Sequence, residues 1–328
     1  SGGIVTTQPG TWLMQSPCPT PLLESRPLSL AAGRPIWLKM EALQPSGSFK
    51  LRGIGLACQT YQARGARRFV ASSGGNAGLA VACAGRRLGV PVTVVVPLTT
   101  TPRALDLLAL EGAEVIVHGA SWQEAHAHAL SLLDPARDAM LHPFDDPLLW
   151  QGHASMVDEV AAAGLVPDAV VLAVGGGGLL SGVAEGMRRH GWDGVPILAV
   201  ETEGAASFHA ATLAGRPVPL DRIDSVATSL GARQVCEQAV QWWRERPVRS
   251  VRVSDASALQ ACEQFLEDHR VLVEPACGAA LAAVHDAQHA AELAGFQRVL
   301  VIVCGGATGT LAQIRAWAAA GGSSRSRG

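Results

Sequence analysis

Short apolar runs rich in β-branched residues alternate along this chain with longer stretches rich in alanine and leucine. The short runs predict β-strands, because about four to eight such residues between polar or glycine-rich turns are typical of a buried sheet. The longer stretches place apolar residues at helical spacing and predict α-helices. The predicted strands are 35–41, 68–73, 91–97, 113–119, 169–176, 196–202 and 298–306, and the predicted helices are 76–88, 102–112, 121–133, 149–163, 179–190, 255–269 and 276–293.

The order of these elements predicts the fold class. Strand and helix alternate so often that a doubly wound α/β fold is expected, with mostly parallel sheets, helices on both faces and right-handed crossovers. The runs at 170–174 and 299–303 are apolar throughout, which is typical of strands buried on both faces. In the run at 35–41, apolar residues alternate with Lys39 and Glu41, and this alternation predicts a strand with one polar face.

Composition narrows the class of partner. The chain has 328 residues and a formal net charge of −2, and its arginines are scattered, so neither nucleic acid nor an anionic membrane is the expected partner. The seven cysteines are widely spaced and include no CxxC pair, which is typical of thiols in a reducing compartment. No run of about 18 apolar residues is present to span a membrane. We therefore expect a cytoplasmic protein that acts on a small molecule.

Four segments rich in glycine or serine lie at predicted strand and helix ends, where ligands of open parallel sheets bind. They are PSGSFKLRG (45–53), SSGGNAG (72–78), GGGGLLSG (175–182) and VCGGATG (303–309). In the third segment, four residues without Cβ can turn their N–H groups inward at a helix N-terminus, which favours a phosphate site; a tight turn without a ligand is the alternative. The GxGxxG and Walker A patterns are absent, so a phosphate monoester on a small cofactor fits best.

Lys50 is one of only two lysines among the 26 basic residues. With Ser46 or Ser48 as the predicted N-cap, Lys50 falls in the first turn of a helix, where the helix dipole disfavours a cation and so favours the neutral amine. Schiff-base chemistry requires a neutral amine, whereas an ordinary solvated lysine is the alternative.

The segment 72–78 offers a second set of polar groups. The Ser73 hydroxyl, the Asn76 amide and the backbone N–H groups suit a carboxylate and a phenolic oxygen. An ordinary helix cap has the same composition, so this segment indicates a ligand site only in combination with the other three glycine- or serine-rich segments.

Taken together and in this order, the four segments resemble those of the pyridoxal-phosphate enzymes of fold type II, the tryptophan synthase β-like fold. Within that fold the chain is similar to the serine/threonine dehydratases, and above all to the short serine dehydratases and the serine dehydratase-like proteins. The resemblance extends over nearly the whole chain.

The resemblance implies a role for each matching residue. Lys50 would be the Schiff-base lysine and would move the substrate Cα proton. The residues implied to hold pyridoxal phosphate are Phe49 and Lys50, Asn76 at the ring 3-oxygen, Gly175, Gly176, Gly177 and Gly178 at the phosphate, and Cys304 at the pyridine nitrogen. Those implied to hold the substrate carboxylate are Ser73, Gly74, Asn76 and Ala77. A thiol cannot keep the nitrogen protonated as an aspartate would, which favours elimination over transamination.

A monovalent cation site is also implied by the resemblance. Potassium would be bound by oxygen atoms of Gly175, Glu201, Ala205, Ser207, Leu230 and Ala232. From the sequence alone, Glu201 can equally well end a strand in water, and both interpretations stay open.

The resemblance further implies two α/β domains and an activity. The large cofactor-binding domain would consist of residues 1–50 and 144–328, and the small domain, 51–143, would close over the substrate. The expected enzyme is a homodimer that converts L-serine, and L-threonine, into pyruvate or 2-oxobutanoate and ammonia by β-elimination. A serine racemase, a β-replacement enzyme and a weakly active sensor that binds pyridoxal phosphate are the open alternatives.

Overall fold

Two separate β-sheets organise the part of the chain that this computed structural model describes, residues 17–322. The strands are β1 (Leu22–Glu24), β2 (Ile36–Lys39), β3 (Arg68–Ala71), β4 (Val92–Val96), β5 (Glu114–Val117), β6 (Asp138–Met140), β7 (Ala169–Ala173), β8 (Ile197–Thr202), β9 (Val248–Val253) and β10 (Val299–Ile302). The larger sheet has the order β1-β2-β10-β7-β8-β9, and the smaller one has the order β5-β4-β3-β6. All neighbours are parallel except β1 and β2, so the predicted α/β class with mostly parallel sheets is confirmed.

Helices pack against both sheets. They are α1 (Arg26–Ala32), α2 (Lys50–Ala63), α3 (Asn76–Leu88), α4 (Pro102–Leu110), α5 (Trp122–Ser131), α6 (Pro147–His153), α7 (Ser155–Ala162), α8 (Gly178–Arg189), α9 (Ser207–Ala214), α10 (Glu237–Glu245), α11 (Asp255–His269), α12 (Pro275–His285) and α13 (Leu311–Ala319). The helices α3 and α11 have the predicted bounds, because a glycine in the left-handed conformation ends the first and a serine side chain caps the start of the second.

Two predicted helices are wrong in their extent. The helix predicted at 149–163 is divided into α6 and α7, and the Ser155 hydroxyl donates to the carbonyl of Gly152 (2.7 Å), a bond that competes with the regular helical pattern. The helix predicted at 276–293 is α-helical only as far as His285. After it, the Asp286 carboxylate accepts from the N–H of Gln288 and starts a 3-10 helix.

The sequence does not predict β1, β6 or β9. The first two have three residues each, which is too short for a periodic pattern. In β9, buried valines alternate with exposed Arg249 and Arg252, as is typical of a strand at a sheet edge.

The polar positions of the predicted strand 35–41 form a buried ion cluster instead of the exposed face that the alternation predicts. Lys39, the last residue of β2, is 1% exposed, and Glu41, which begins a 3-10 helix just after β2, is 0% exposed. Lys39 Nζ is 2.7 Å from Glu159 Oε1. Arg52 lies between both carboxylates, 2.5 Å from Glu41 Oε1 and 2.5 Å from Glu159 Oε2. The prediction of a polar face is therefore wrong, since the two charges are compensated inside the protein.

Two glycines fix the position of α2. A Cβ added at Gly53 would lie 2.5 Å from the carbonyl oxygen of Leu149, and one added at Gly152 would lie 2.4 Å from that of Arg52. The helices α2 and α6 therefore touch through their backbones, and no larger residue fits at either position. Because Lys50 is the first residue of α2, this contact also fixes where Lys50 lies.

The two sheets take their strands from different parts of the chain. The larger sheet uses residues 22–39 and 169–302, and the smaller one uses residues 68–140. The division into domains 1–50 with 144–328 and 51–143 stays a prediction, and residues 1–16 and 323–328 of it lie outside the described residues. None of the helices within 17–322 combines the length and apolar character needed to cross a bilayer.

Candidate active site

Lys50 lies where the segments 45–53 and 303–309 pair with each other. The N–H of Phe49 donates to the carbonyl of Cys304 (N···O 3.1 Å), and an isolated β-bridge joins the same two segments. Segments from opposite ends of the described chain thus form one wall of the candidate site.

The start of α2 differs from the prediction. The N-cap is Phe49, which already has helical backbone angles (φ −57°, ψ −22°), and neither Ser46 nor Ser48 takes that position. The Ser48 hydroxyl still accepts a hydrogen bond from the N–H of Lys50 (3.3 Å). The predicted cap is therefore wrong by one residue or more, while the prediction that Lys50 falls in the first helical turn is correct.

The Lys50 amine is directed into the protein, where it donates to the carbonyl of Pro143 (2.6 Å). Burial lowers the pKa of Lys50 from 10.5 to about 8, and the nearby acidic group of Glu274 limits that fall. Roughly a tenth of such an amine is neutral at pH 7, far more than for a solvated lysine. The site therefore provides a nucleophilic amine near neutral pH.

The glycine loop, residues 175–178, connects β7 to α8. A Cβ added at Gly176 would lie 2.1 Å from the ring of Phe144. Gly177 has φ of 98°, and a Cβ there would lie 2.7 Å from that of Ala239. Since α8 begins without a side-chain cap, its first N–H groups are available to an anion.

The Asn76 side chain is held at both ends. Its Oδ1 accepts from the N–H of Ala307 (3.2 Å), and its Nδ2 donates to Glu274 Oε1 (2.6 Å) and to Ser229 Oγ (3.3 Å). Asn76 begins α3 next to the smaller sheet, whereas its three partners belong to the part of the chain around the larger sheet. The segment 72–78 is thereby joined to the wall that carries Lys50.

The other predicted substrate-binding residues lie on the same turn. The Ser73 hydroxyl accepts from the N–H of Gly75 (3.2 Å), and Ala77 is buried in the first turn of α3. A Cβ added at Gly74 would lie 3.0 Å from Cγ2 of Thr100, so the turn packs closely against the loop after β4. Their binding of a substrate carboxylate stays a prediction.

Glu274 is a site residue that the sequence did not reveal. It precedes α12, its carboxylate is buried, and it contacts Asn76 directly. The available signal was a lone acidic residue in the apolar run VLVEPACGAAL at 271–281. A charged residue is rarely buried in such an apolar run unless another group compensates its charge.

Cys304 lies at the end of β10 and is buried. A hydrogen bond with Cys277, together with burial, raises the pKa of Cys304 well above its ordinary value. Its thiol therefore stays neutral at neutral pH, which agrees with the predicted non-acidic neighbour for a ring nitrogen.

Several residues of the predicted cation site do lie close together. Both carboxylate oxygens of Glu201 accept backbone N–H groups at the start of α9, from Phe208 (2.8 Å) and His209 (2.9 Å). Burial raises the pKa of Glu201 to about 8, and Glu201 is 0% exposed, so the alternative of a strand end in water is wrong. Ser207 Oγ donates to the carbonyl of Gly175 at 3.5 Å.

The remaining members of that set are placed less directly. A Cβ added at Gly175 would lie 3.4 Å from Cα of Leu230, and Ala232 is two residues after Leu230. Ala205 is buried in the turn before α9. Residues 17–322 contain no group of three or more His, Cys, Asp or Glu side chains arranged around a metal. Potassium binding by backbone carbonyls stays a prediction.

Comparisons with known proteins identify the family. The model of a family described as pyridoxal-phosphate dependent enzyme matches residues 13–305. The chain belongs to this family. Among its relatives, the L-serine dehydratase/L-threonine deaminase of Homo sapiens is 49% identical over 306 residues, covering 90% of this chain and 93% of that protein. The serine dehydratase-like protein of Mus musculus is 50% identical over 294 residues, covering 88% and 89%.

Solved structures agree with this assignment. The L-serine ammonia-lyase of the fungus Rhizomucor miehei has a TM-score of 0.87 and 36% identity, with 92% of this chain and 98% of that chain covered. The maize serine racemase, at 23% identity and a TM-score of 0.84, shares the fold. The resemblance to pyridoxal-phosphate enzymes of the serine dehydratase group is confirmed.

The residues of the site fit the cofactor of this family. An aldehyde requires an amine with a lowered pKa, and Lys50 provides one. A phosphate requires backbone N–H groups without obstructing side chains, and the glycine loop at the uncapped start of α8 provides these. A phenolic oxygen requires a fixed donor, and Asn76 is held at both ends. The assignment of each residue to a part of the cofactor is a prediction.

We expect Gly176→Ala to weaken the binding of pyridoxal phosphate by about five- to 150-fold, because the overpacked loop must move out of its binding geometry and overpacking costs about 1–3 kcal/mol. The added Cβ would overlap the Phe144 ring, which lies 2.1 Å away, so the loop or the ring must move. The matched control is Gly194→Ala, since nothing lies within 4 Å of a Cβ at that position. Titration of each apoprotein with the cofactor, followed by absorbance, measures the affinities. Equal affinities for the two variants would contradict the role given to the loop.

Proposed function

We propose that this protein is a pyridoxal-phosphate-dependent L-serine dehydratase that also accepts L-threonine. The products are pyruvate or 2-oxobutanoate, together with ammonia. The observation that carries the proposal is the buried Lys50 amine, with a pKa lowered to about 8, at the paired segments 45–53 and 303–309, to which Asn76 of the segment 72–78 is also bonded. Relatives about half identical over most of their length bear the names L-serine dehydratase/L-threonine deaminase and serine dehydratase-like, which supports the reaction type.

In this proposal, each part of the site binds one part of the cofactor. The N–H groups of the glycine loop and the N-terminus of α8 bind the phosphate. Phe49 would lie against the ring, and Asn76 would donate to the ring oxygen. When bound, pyridoxal phosphate supplies an electron sink that lets the substrate lose its Cα proton.

The chain itself moves the proton and holds the substrate. Lys50 takes the proton from Cα, and its lowered pKa suits a base that works near neutral pH. The turn formed by Ser73, Gly74, Asn76 and Ala77 binds the carboxylate through backbone and side-chain donors. The β-hydroxyl takes up one proton and leaves as water, so the proton lost from Cα and the hydroxide lost from Cβ together make one water. Hydrolysis of the released product consumes one water and gives the 2-oxo acid and ammonia.

The neutral Cys304 thiol favours elimination. Its pKa is raised by Cys277 and by burial, so it cannot act as the carboxylate that keeps a ring nitrogen protonated. Beside such a thiol, pyridoxal phosphate would be a weaker electron sink, which favours elimination over transamination.

The proposal includes three finer points. We infer a homodimer, a cytoplasmic location and a potassium ion beside the phosphate loop. The six buried cysteine thiols suit a reducing compartment. The hydrogen bond between Ser207 and the carbonyl of Gly175 supports a cation site adjoining the glycine loop.

A product assay tests the proposal. The purified protein is incubated with pyridoxal phosphate and L-serine, and pyruvate, ammonia and D-serine are quantified, the last by chiral chromatography. Equal amounts of pyruvate and ammonia as the main products support the dehydratase. D-serine as the main product favours the racemase, and a new β-substituted amino acid formed only with an added thiol favours a replacement enzyme. The absence of turnover favours a sensor.

A further inference from the structure

Glu274 is a buried acidic residue that the steps above do not use. It is 5% exposed, and its carboxylate accepts from Asn76 Nδ2 (2.6 Å) and from Thr308 Oγ1 (3.3 Å). The Ser229 hydroxyl is a third hydrogen-bond partner. Three donors from three separate segments therefore meet one carboxylate, as a buried charge requires.

The backbone of the segment 303–309 is shaped around this side chain. A Cβ added at Gly306, which has φ of 126°, would lie 2.0 Å from Cδ of Glu274. One added at Gly309 would lie 3.1 Å from Cβ of Glu274. The glycines after Cys304 thus leave the space that the Glu274 side chain fills, which is a physical reason for the sequence CGGATG.

The contact with Glu274 fixes the orientation of the Asn76 amide. A carboxylate accepts hydrogen bonds and the N–H of Ala307 donates one, so Nδ2 must face Glu274 and Oδ1 must face Ala307. Of the two hydrogens on Nδ2, one takes part in the 2.6 Å bond with Glu274. The other makes only the longer 3.3 Å contact with Ser229 Oγ and can form a hydrogen bond with another acceptor instead.

The charge of Glu274 also acts on Lys50. Burial raises the pKa of Glu274 above its ordinary value, and the hydrogen bonds together with the Lys50 charge oppose that rise. Glu274 in turn favours the protonated form of Lys50. The two groups are therefore electrostatic neighbours inside the protein.

We propose that Glu274 is a positioning residue of the cofactor site, which holds the Asn76 amide so that one N–H stays available to the ring oxygen of pyridoxal phosphate. Because Glu274 also accepts from Thr308, it joins α3, beside the smaller sheet, to the wall formed by 303–309. This inference rests on the proposed function, because it assigns Asn76 to the cofactor ring.

The test compares Glu274→Gln with the wild-type protein and with Glu267→Gln, which alters an exposed residue of α11. The apoproteins are titrated with pyridoxal phosphate, and the dissociation constant and the absorption maximum of the bound cofactor are recorded. Glutamine offers one acceptor to three donors, so we expect about tenfold weaker binding and a shifted maximum, with Glu267→Gln unchanged. In an Asn76→Ala background, Glu274→Gln should have a much smaller effect, because only the interaction of the Glu274 charge with Lys50 is then left to lose.

Two results overturn the inference. One is a Glu274→Gln protein with wild-type affinity and absorption maximum, and the other is a loss of affinity that is the same with and without Asn76→Ala. If circular dichroism shows that Glu274→Gln is unfolded, Glu274→Asp replaces it, since the charge is kept and only the reach to Asn76 is shortened; wild-type binding by that variant overturns the inference as well. A wild-type protein that binds no cofactor refutes the proposed function instead.

Discussion

Replacing Lys50 by alanine should lower the rate of pyruvate formation from L-serine by at least about a thousandfold. The amine is expected to serve twice, as the point of attachment for the cofactor and as the base that takes the Cα proton, and the base alone contributes about 10²–10⁴ in rate. The structure provides for both roles, because the amine is directed into the site and burial lowers its pKa to about 8. Initial rates of pyruvate release at saturating L-serine measure the effect.

Two further variants show whether the loss is specific. Lys50→Arg keeps a positive charge but cannot supply a neutral amine, so it should be as inactive as Lys50→Ala. Arg64→Ala removes an exposed charge at the other end of α2 and should keep wild-type activity. If Lys50→Ala retained more than about a tenth of the wild-type rate, the amine would have neither role.

Replacing Arg52 by methionine should lower the free energy of unfolding by about 3–5 kcal/mol, the usual cost of removing one partner from a buried ion pair. The Arg52 guanidinium lies between Glu41 and Glu159, and it is 1% exposed. Without it, Glu41 stays buried with its charge uncompensated. The midpoint of urea unfolding, followed by circular dichroism, measures the change.

The control and a second substitution make this result specific. Arg188→Met removes ion pairs of a 51% exposed side chain with Asp193 and Glu245, and should cost less than about 1 kcal/mol. Adding Glu41→Gln to Arg52→Met should restore part of the lost stability, because it removes the unpaired charge. An Arg52→Met protein as stable as Arg188→Met would contradict the pairing in the buried ion cluster.

The same cluster gives stability a dependence on pH. Although burial acts in the opposite direction, the hydrogen bonds from Arg52 hold the pKa of Glu159 below its ordinary value of 4.5. The stability that this carboxylate contributes is therefore complete above about pH 4.5 and is lost as the pH falls below it.

Periodicity was sufficient for the fold class because most strands are apolar runs between glycine-rich turns. The helices Asn76–Leu88 and Asp255–His269 have recognisable end signals, and their bounds match the prediction. The edge strand Val248–Val253 was missed because its arginines interrupt the apolar pattern. The break between α6 and α7 depends on the Ser155 hydroxyl, whose bond to Gly152 no periodicity reveals.

The residues of the site likewise fall into two groups, those with a local signal in the sequence and those whose partners are distant in sequence. Glycine loops and a rare lysine are local signals, and the structure pairs 45–53 with 303–309 and joins 72–78 to them through Asn76. Glu274 gives no local signal of its partner, because Asn76 is 198 positions away in sequence. Lys39 and Glu41 suggested a polar face for the same reason, since Glu159 lies 120 positions from Lys39. The partner that compensates a buried charge can be identified only from the folded structure, because the two residues are distant in sequence.

The visible absorption spectrum of the purified protein, followed while L-serine is added, decides whether Lys50 and pyridoxal phosphate carry out an elimination. The expected result is an absorption band of lysine-bound cofactor that changes when L-serine is added and returns as pyruvate approaches the amount of L-serine supplied. A protein that shows no such band after addition of pyridoxal phosphate, or a band that L-serine leaves unchanged, would contradict the proposed dehydratase.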